Sequence, residues 1–203
     1  MRGRASSDSS TSTPDGVFSL ERPIETERLT LRAFRAGDLD EVYAMRSLPE
    51  VVRYLYGDEL TLSDAGELLE RCLRNTRIER DDDVLAVAVE RRDDGRVIGD
   101  LTLWLRSAHH RQGEIGFVFH PDAQGRGYAA ESAAALLGLA FGTLGLHRVY
   151  GRTDGRNDAS AALMRRLGMR QEAHLRENEI FKGEWGDELV FAMLEDEWRS
   201  RED

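Results

Sequence analysis

The residues with the plainest chemistry are Gln124-Gly125-Arg126-Gly127-Tyr128-Ala129, which follow an apolar strand-like run from Ile115 to Phe119 and open an Ala/Leu-rich helix. Glycines at 125 and 127 let the backbone turn tightly and bring bare N–H groups close to an anion. A helix beginning near Tyr128 adds the positive end of its dipole. Together these make a grip for a diphosphate. On the strand before the loop, Glu114, Gly116 and Val118 face one way and Ile115, Phe117 and Phe119 the other, so Glu114 can look into a cleft while its neighbours pack.

Several diphosphate sites use such a loop. A P-loop requires a Lys-Ser/Thr pair after its second glycine, where this chain has Tyr128-Ala129, so that reading fails. Gly125, Gly127 and Ala130 satisfy the Rossmann pattern G-x-G-x-x-A, with Asp154 closing the next strand. Against it, Pro121-Asp122-Ala123 separates the loop from its strand, and the upstream segments read as hairpin-connected strands instead of βαβ units. A nicotinamide dinucleotide-binding protein stays as an alternative.

The elements that must position these residues can be read along the chain. Arg28 to Phe34 alternates as a strand, and Asp38 is expected to cap a helix to about Arg46. A second helix is expected from about Ser63 to Arg77. Val84 to Glu90 and Val97 to Leu105 form a hairpin turned at Asp93-Asp94-Gly95, and Glu114 to Phe119 is the fourth strand. A helix from Tyr128 to about Leu144 ends at Gly145, His147 to Thr153 is the fifth strand, and Asp158 to Leu167 the next helix. Met169 to Leu194 reads as a closing hairpin turned near Lys182-Gly183.

The length of 203 residues suits one domain, expected over 23–203. Residues 1–22, rich in Ser, Thr, Asp and Gly, read as a flexible tail. No run has the apolar length of a signal peptide core or a membrane span, which points to a cytoplasmic protein without a membrane partner, and the lone Cys72 agrees. A net charge of −10 repels nucleic acid and favours cationic partners. The five histidines show no ligand spacing with Cys72 or a carboxylate pair, so no metal is expected. Ser132 and Ser160 lack a G-x-S-x-G elbow, which removes a hydrolase reading.

Gln124-x-x-Gly127-x-Ala129 resembles the pyrophosphate loop of the GNAT superfamily of N-acetyltransferases. Asn157-Asp158-Ala159-Ser160 followed by Leu167-Gly168-Met169 is similar to that family's Asn-initiated helix and its exit. Glu25-Thr26-Glu27-Arg28-Leu29-Thr30-Leu31-Arg32, Glu114-Ile115-Gly116-Phe117 and Leu146-His147-Arg148-Val149 resemble the RimJ/RimL-like branch, so that the likeness runs over residues 22–195. The resemblance implies an α/β (α+β) fold with a mixed sheet of about seven strands, a splayed parallel pair formed by the fourth and fifth, and about four flanking helices. It implies acetyl-CoA as co-substrate, a primary amine as acceptor (a protein N-terminus or a small molecule), direct transfer in a ternary complex, and a possible homodimer.

The resemblance also assigns roles. Glu114 becomes the general base, with Asp100 in reserve. Gln124, Gly125, Arg126, Gly127, Tyr128 and Ala129 hold the diphosphate, while Phe117, Val118 and Phe119 line the pantetheine arm and Asn157 contacts it. Many relatives carry a proton-donating Tyr seven residues after the Asn, where this chain has Met164; Ser160, one turn earlier, takes that work in this branch. Tyr54, Tyr56, Trp104, Glu179 and Trp185 are candidates for the acceptor pocket. The missing Tyr keeps open a further alternative, an acyl-CoA-binding sensor or assembly protein without strong catalysis.

Overall fold

A computed structural model describes residues 18–201. Most of the expected tail, residues 1–17, lies outside the described residues. The fold already includes Phe18: β1 (Phe18–Ser19) pairs with β4 (Arg77–Ile78) in a small antiparallel ribbon, and Leu20 is buried in the core.

The main sheet has eight strands rather than about seven. Its order is β2 (Ile24–Glu25), β3 (Leu29–Arg32), β5 (Val84–Arg91), β6 (Val97–Ser107), β7 (Gln112–Phe119), β8 (Arg148–Asp154), β10 (Glu184–Leu194) and β9 (Arg170–Phe181). Every neighbouring pair is antiparallel except β7 and β8. A sheet with one parallel pair is not a run of βαβ units, so the dinucleotide-binding alternative is set aside.

Period-2 alternation decides which face meets which helix. Leu85, Val87, Val89, Leu101 and Leu103 pack with Leu136 and Leu137 of α4 (Tyr128–Gly138) and with α5 (Asp158–Arg166), forming the larger core. Ala86 and Ala88 point the other way, and their small side chains let α1 (Leu39–Arg46) and α3 (Leu62–Arg74) lie close against the sheet through Val42, Ala65 and Leu69.

Two expected boundaries differ. Asp38 stands at the N-cap of α1 as expected, but its side chain makes no capping bond, its carboxylate being taken by Arg32 at 2.8 Å and by the Arg35 N–H at 2.7 Å. The cap of α3 is Thr61, in a reciprocal box with Asp64, and the helix ends at Arg74 so that Arg77–Ile78 can pair with β1. After Gly138 the long helix widens into a π-helical turn, Leu139–Thr143, before the left-handed Gly145. Two short helices, α2 (Pro49–Val52) and α6 (Glu195–Arg199), complete the described chain.

Candidate active site

The parallel ladder between β7 and β8 is short. It pairs Gln112 with Arg148, Gly113 with Val149 and Glu114 with Tyr150, and then stops although both strands continue. Beyond Glu114 the ladder does not continue, and the β8-facing edge of β7 opens towards Phe119. A cleft of about 420 Å³ lies along that open edge of β7. Phe117, Val118 and Phe119 form one wall, α5 supplies Asn157, Ser160 and Leu163, and α2 with the following segment contributes Glu50, Val51, Tyr54 and Leu55.

The glycine loop closes one end of the cleft with Gln124, Gly125, Gly127, Tyr128 and Ala129. Gly125 and Gly127 have φ of 72° and 80°, the left-handed region that favours glycine. A Cβ on Gly125 would meet nothing within 4 Å, so bare backbone is available to an anion there. Arg126 departs from expectation: it does not line the cleft, and its carbonyl accepts from Arg28 Nη1 at 2.9 Å. Arg166, on the last turn of α5, does line the cleft and makes no ion pair among the described residues.

A second, smaller cavity of about 110 Å³ is lined by Glu114, Arg152, Glu179, Glu188, Tyr56 and Phe181, among others. Tyr54 lines both cavities and so stands where they meet. Glu114 is 7% exposed, and each of its oxygens is occupied: Oε2 accepts from Arg106 Nε at 2.8 Å and Oε1 from Arg152 Nε at 3.0 Å. Arg152 also donates to Glu188 at 3.1 Å, which makes a chain of alternating charges across β7, β8 and β10. Glu179 has a different environment, because its two oxygens accept from one neutral donor, the Tyr56 hydroxyl, at 2.8 and 2.9 Å. Partial burial of that hydroxyl and its bond to Glu179 push it up to about 12, so it remains a donor at neutral pH.

The other candidates separate. Ser160 donates its backbone N–H to Asn157 Oδ1 at 3.1 Å, which caps α5, and its hydroxyl has no partner among the described residues. Met164 is 1% exposed and packs in the core, away from both cavities. Asp100 is held by Arg46 at 2.6 Å and lines neither cavity. Trp104 and Trp185 also line neither and are corrected as pocket residues. Trp104 lies over Gly116, where a Cβ would be 3.1 Å from the indole, and Trp185 is 62% exposed on β10. Cys72 is packed against the α1–α3 core, and burial pushes its thiol up to about 12, which does not suit a nucleophile.

Arg152, Glu188, Arg166 and the α2 wall are additions to the residues expected from sequence. Arg152 had a visible signal: Tyr150, Arg152 and Asp154 alternate as the polar face of β8. Among the described residues no group of three or more His, Cys, Asp or Glu could hold a metal ion, and no helix is long and apolar enough to cross a membrane.

A family model described as an acetyltransferase (GNAT) domain matches residues 28–170. The chain is 32% identical over 175 residues to the uncharacterised N-acetyltransferase YnaD of Bacillus subtilis, covering 86% of this chain and 98% of that one. It is 26% identical over 174 residues to a spermidine N(1)-acetyltransferase of Vibrio cholerae, covering 86% and 97%. Among solved structures, a GNAT-family acetyltransferase from Bacillus anthracis superposes with a TM-score of 0.78 at 27% identity, covering 86% of this chain and 99% of that one. The Vibrio cholerae spermidine N-acetyltransferase in complex with CoA and spermine has the same fold, with a TM-score of 0.73 at 23% identity and coverage of 86% and 99%. With its open parallel pair, its glycine loop at a helix start and these relatives, the chain belongs to the GNAT family of N-acetyltransferases.

Proposed function

We propose that this enzyme transfers the acetyl group of acetyl-CoA directly to a primary amine, with both substrates bound at once. The observation that carries this reading is the meeting of two unlike cavities at Tyr54: a largely apolar cleft ending on a bare glycine loop, and a small cavity rich in carboxylates. The first fits a pantetheine arm with its diphosphate, the second an amine. Gln124, Gly125, Gly127, Tyr128 and Ala129 hold the diphosphate at the start of α4, Arg166 adds a cation, and Phe117, Val118, Phe119 and Asn157 line the arm. Gly125 supports the fit, since its absent side chain leaves space where backbone must approach the ligand.

The amine nitrogen attacks the thioester carbonyl carbon, the carbon–sulfur bond breaks, the nitrogen loses a proton and the thiolate gains one. Glu114 is the proposed acceptor of the amine proton, directly or through water. Both its oxygens already accept from arginines, so each proton it takes weakens an ion pair. An acceptor that is partly neutral on arrival therefore suits the site. Freeing a lysine-type amine at pH 7 costs about 4–5 kcal/mol, an α-amine about 1 kcal/mol. We accordingly place a protein or peptide N-terminal α-amine, as in the RimJ/RimL-like branch, ahead of a strongly basic small amine. The Ser160 hydroxyl is the proposed proton donor to the leaving thiolate, because it faces the cleft without a competing partner. Tyr56 and Glu179 frame the acceptor entrance.

The test is release of free thiol from acetyl-CoA against a panel of N-terminal peptides and small amines. Release with one acceptor class supports the proposal and names the substrate. Coenzyme binding without release for any member would favour the sensor reading, for which the buried Met164 in place of a donor Tyr is the supporting observation.

A further inference from the structure

The segment Glu25–Arg32 has a sequence pattern but no part in the chemistry above, and it lies far from the glycine loop in the chain. In the fold its turn is pressed against that loop. Thr26 closes the turn, its N–H donating to the Leu29 carbonyl at 2.9 Å and its hydroxyl accepting from the Leu29 N–H at 3.0 Å. The same hydroxyl donates to Glu131 Oε1 at 2.6 Å, and the Arg28 N–H donates to that oxygen at 2.9 Å. Arg28 then forks. Nε reaches Glu131 Oε2 at 2.7 Å, Nη1 reaches the Arg126 carbonyl at 2.9 Å, and the guanidinium lies 4.6 Å from the centre of the Tyr128 ring. Its Nη2 stands 3.4 Å from where a Cβ on Gly127 would be. One side chain thus touches three consecutive residues of the loop and the first turn of α4.

Two consequences follow from peptide geometry and charge. A trans peptide holds its C=O and N–H on opposite sides, so fixing the Arg126 carbonyl towards Arg28 aims the Gly127 N–H away from Arg28. Gly127 lines the coenzyme cleft and Arg28 does not. A loop with two left-handed glycines has many alternatives open to it, and this contact selects one. Glu131, in the first turn of α4, would otherwise oppose an anion at the helix start; Arg28 covers that charge at 2.6 Å.

We propose that Arg28, braced by Thr26 and Glu131, is a positioning residue for coenzyme binding, setting the Arg126–Gly127 peptide in the orientation that receives the diphosphate. This rests on the reading of the Gln124–Ala129 loop as the acetyl-CoA site. The experiment measures acetyl-CoA affinity by calorimetry for wild type, Arg28→Ala, Glu131→Ala and the double variant, at a temperature where circular dichroism shows all four folded. Arg28→Ala is expected to weaken binding about tenfold, and the double variant to lose no more than the weaker single one, because the pair acts as a unit. A merely structural role would lower the melting temperature of the free protein and leave affinity unchanged. Arg28→Lys, which keeps the charge but cannot fork between Glu131 and the Arg126 carbonyl, carries the same expectation should Arg28→Ala fail to fold. Wild-type-like affinity in the folded variants overturns the brace and leaves the loop assignment standing. Absence of acetyl-CoA binding by the wild type overturns both.

Discussion

Replacing Glu114 by Gln removes one charge, keeps the side-chain shape and separates structure from catalysis. The carboxylate is 9% exposed in its side chain and accepts from two guanidinium groups, Arg106 and Arg152. An amide presents one acceptor and one donor, so one arginine keeps a partner while the other meets an N–H. The loss is moderated because Arg152 retains Glu188 at 3.1 Å and Arg106 retains Asp82 at 3.4 Å, and because the arginine side chains are 42% and 31% exposed. The cost is therefore below that of breaking a fully buried pair, about 1–3 kcal/mol. In a chain of this size that lowers the melting temperature by roughly 2–12 °C. Glu114 lines the smaller cavity and not the larger cleft, so on the proposed assignment acetyl-CoA affinity should be unchanged. The rate of thiol release should fall by about a hundredfold and lose its dependence on the ionisation of a carboxylate at low pH. Thermal unfolding, calorimetry and a pH–rate profile on one preparation make the comparison. A variant that melts like wild type, or one that melts lower yet keeps the rate and its pH profile, refutes the reasoning at its structural or its catalytic step.

Glu179→Gln should raise the acceptor KM several-fold with kcat little changed, since Glu179 is held only by the neutral Tyr56 hydroxyl; an effect confined to kcat would contradict its place at the entrance. Arg166→Ala should weaken acetyl-CoA binding about tenfold and flatten its salt dependence, whereas an unchanged salt slope would remove Arg166 as a phosphate partner. Asp38→Asn should destabilise by about 2–4 kcal/mol at pH 7, because the buried Arg32 loses its two-pronged carboxylate partner and keeps Glu90 as its one anion beside the Ala33 carbonyl. Burial works against the Asp38 carboxylate, but hydrogen bonds from Arg32 and Arg35 outweigh it and hold it below the usual carboxylate range. Its contribution is thus full above the ordinary carboxylate value and lost as pH falls through the lowered one, so the difference between wild type and Asp38→Asn should shrink on acidification. Urea unfolding at pH 7 and pH 3 checks it, and a gap that widens in acid would reverse the sign argued here.

Local pattern made the loop and its strands legible. Gly125 and Gly127 were identifiable because left-handed turns favour glycine, and β5, β6 and β7 because alternation survives in a sheet covered on both faces by unlike helices. What escaped was set by register and by side-chain direction. That the β7–β8 ladder stops at Glu114 depends on where β8 is held by β10, a fact spread over strands far apart in sequence. Trp104 was expected in the acceptor pocket; it is the cross-strand partner of Glu114, but the absent side chain of Gly116 lets the indole lie sideways on the sheet. The two-residue strands β1, β2 and β4 are too short to carry periodicity and exist through their partners. The brace from Arg28 to Glu131 spans 103 positions, a distance no spacing rule covers.

The central claim is that the glycine loop and the open edge of β7 bind acetyl-CoA. Gly127→Val tests it most directly, because φ of 80° strains any side chain there and the added carbons would press on Arg28, forcing the loop backbone out of the form that receives the diphosphate. Acetyl-CoA titrated into wild type and Gly127→Val, with melting temperature read for each, should stabilise the wild type by several degrees and leave the folded variant unmoved. Equal stabilisation of both proteins, or none of the wild type, would contradict the account.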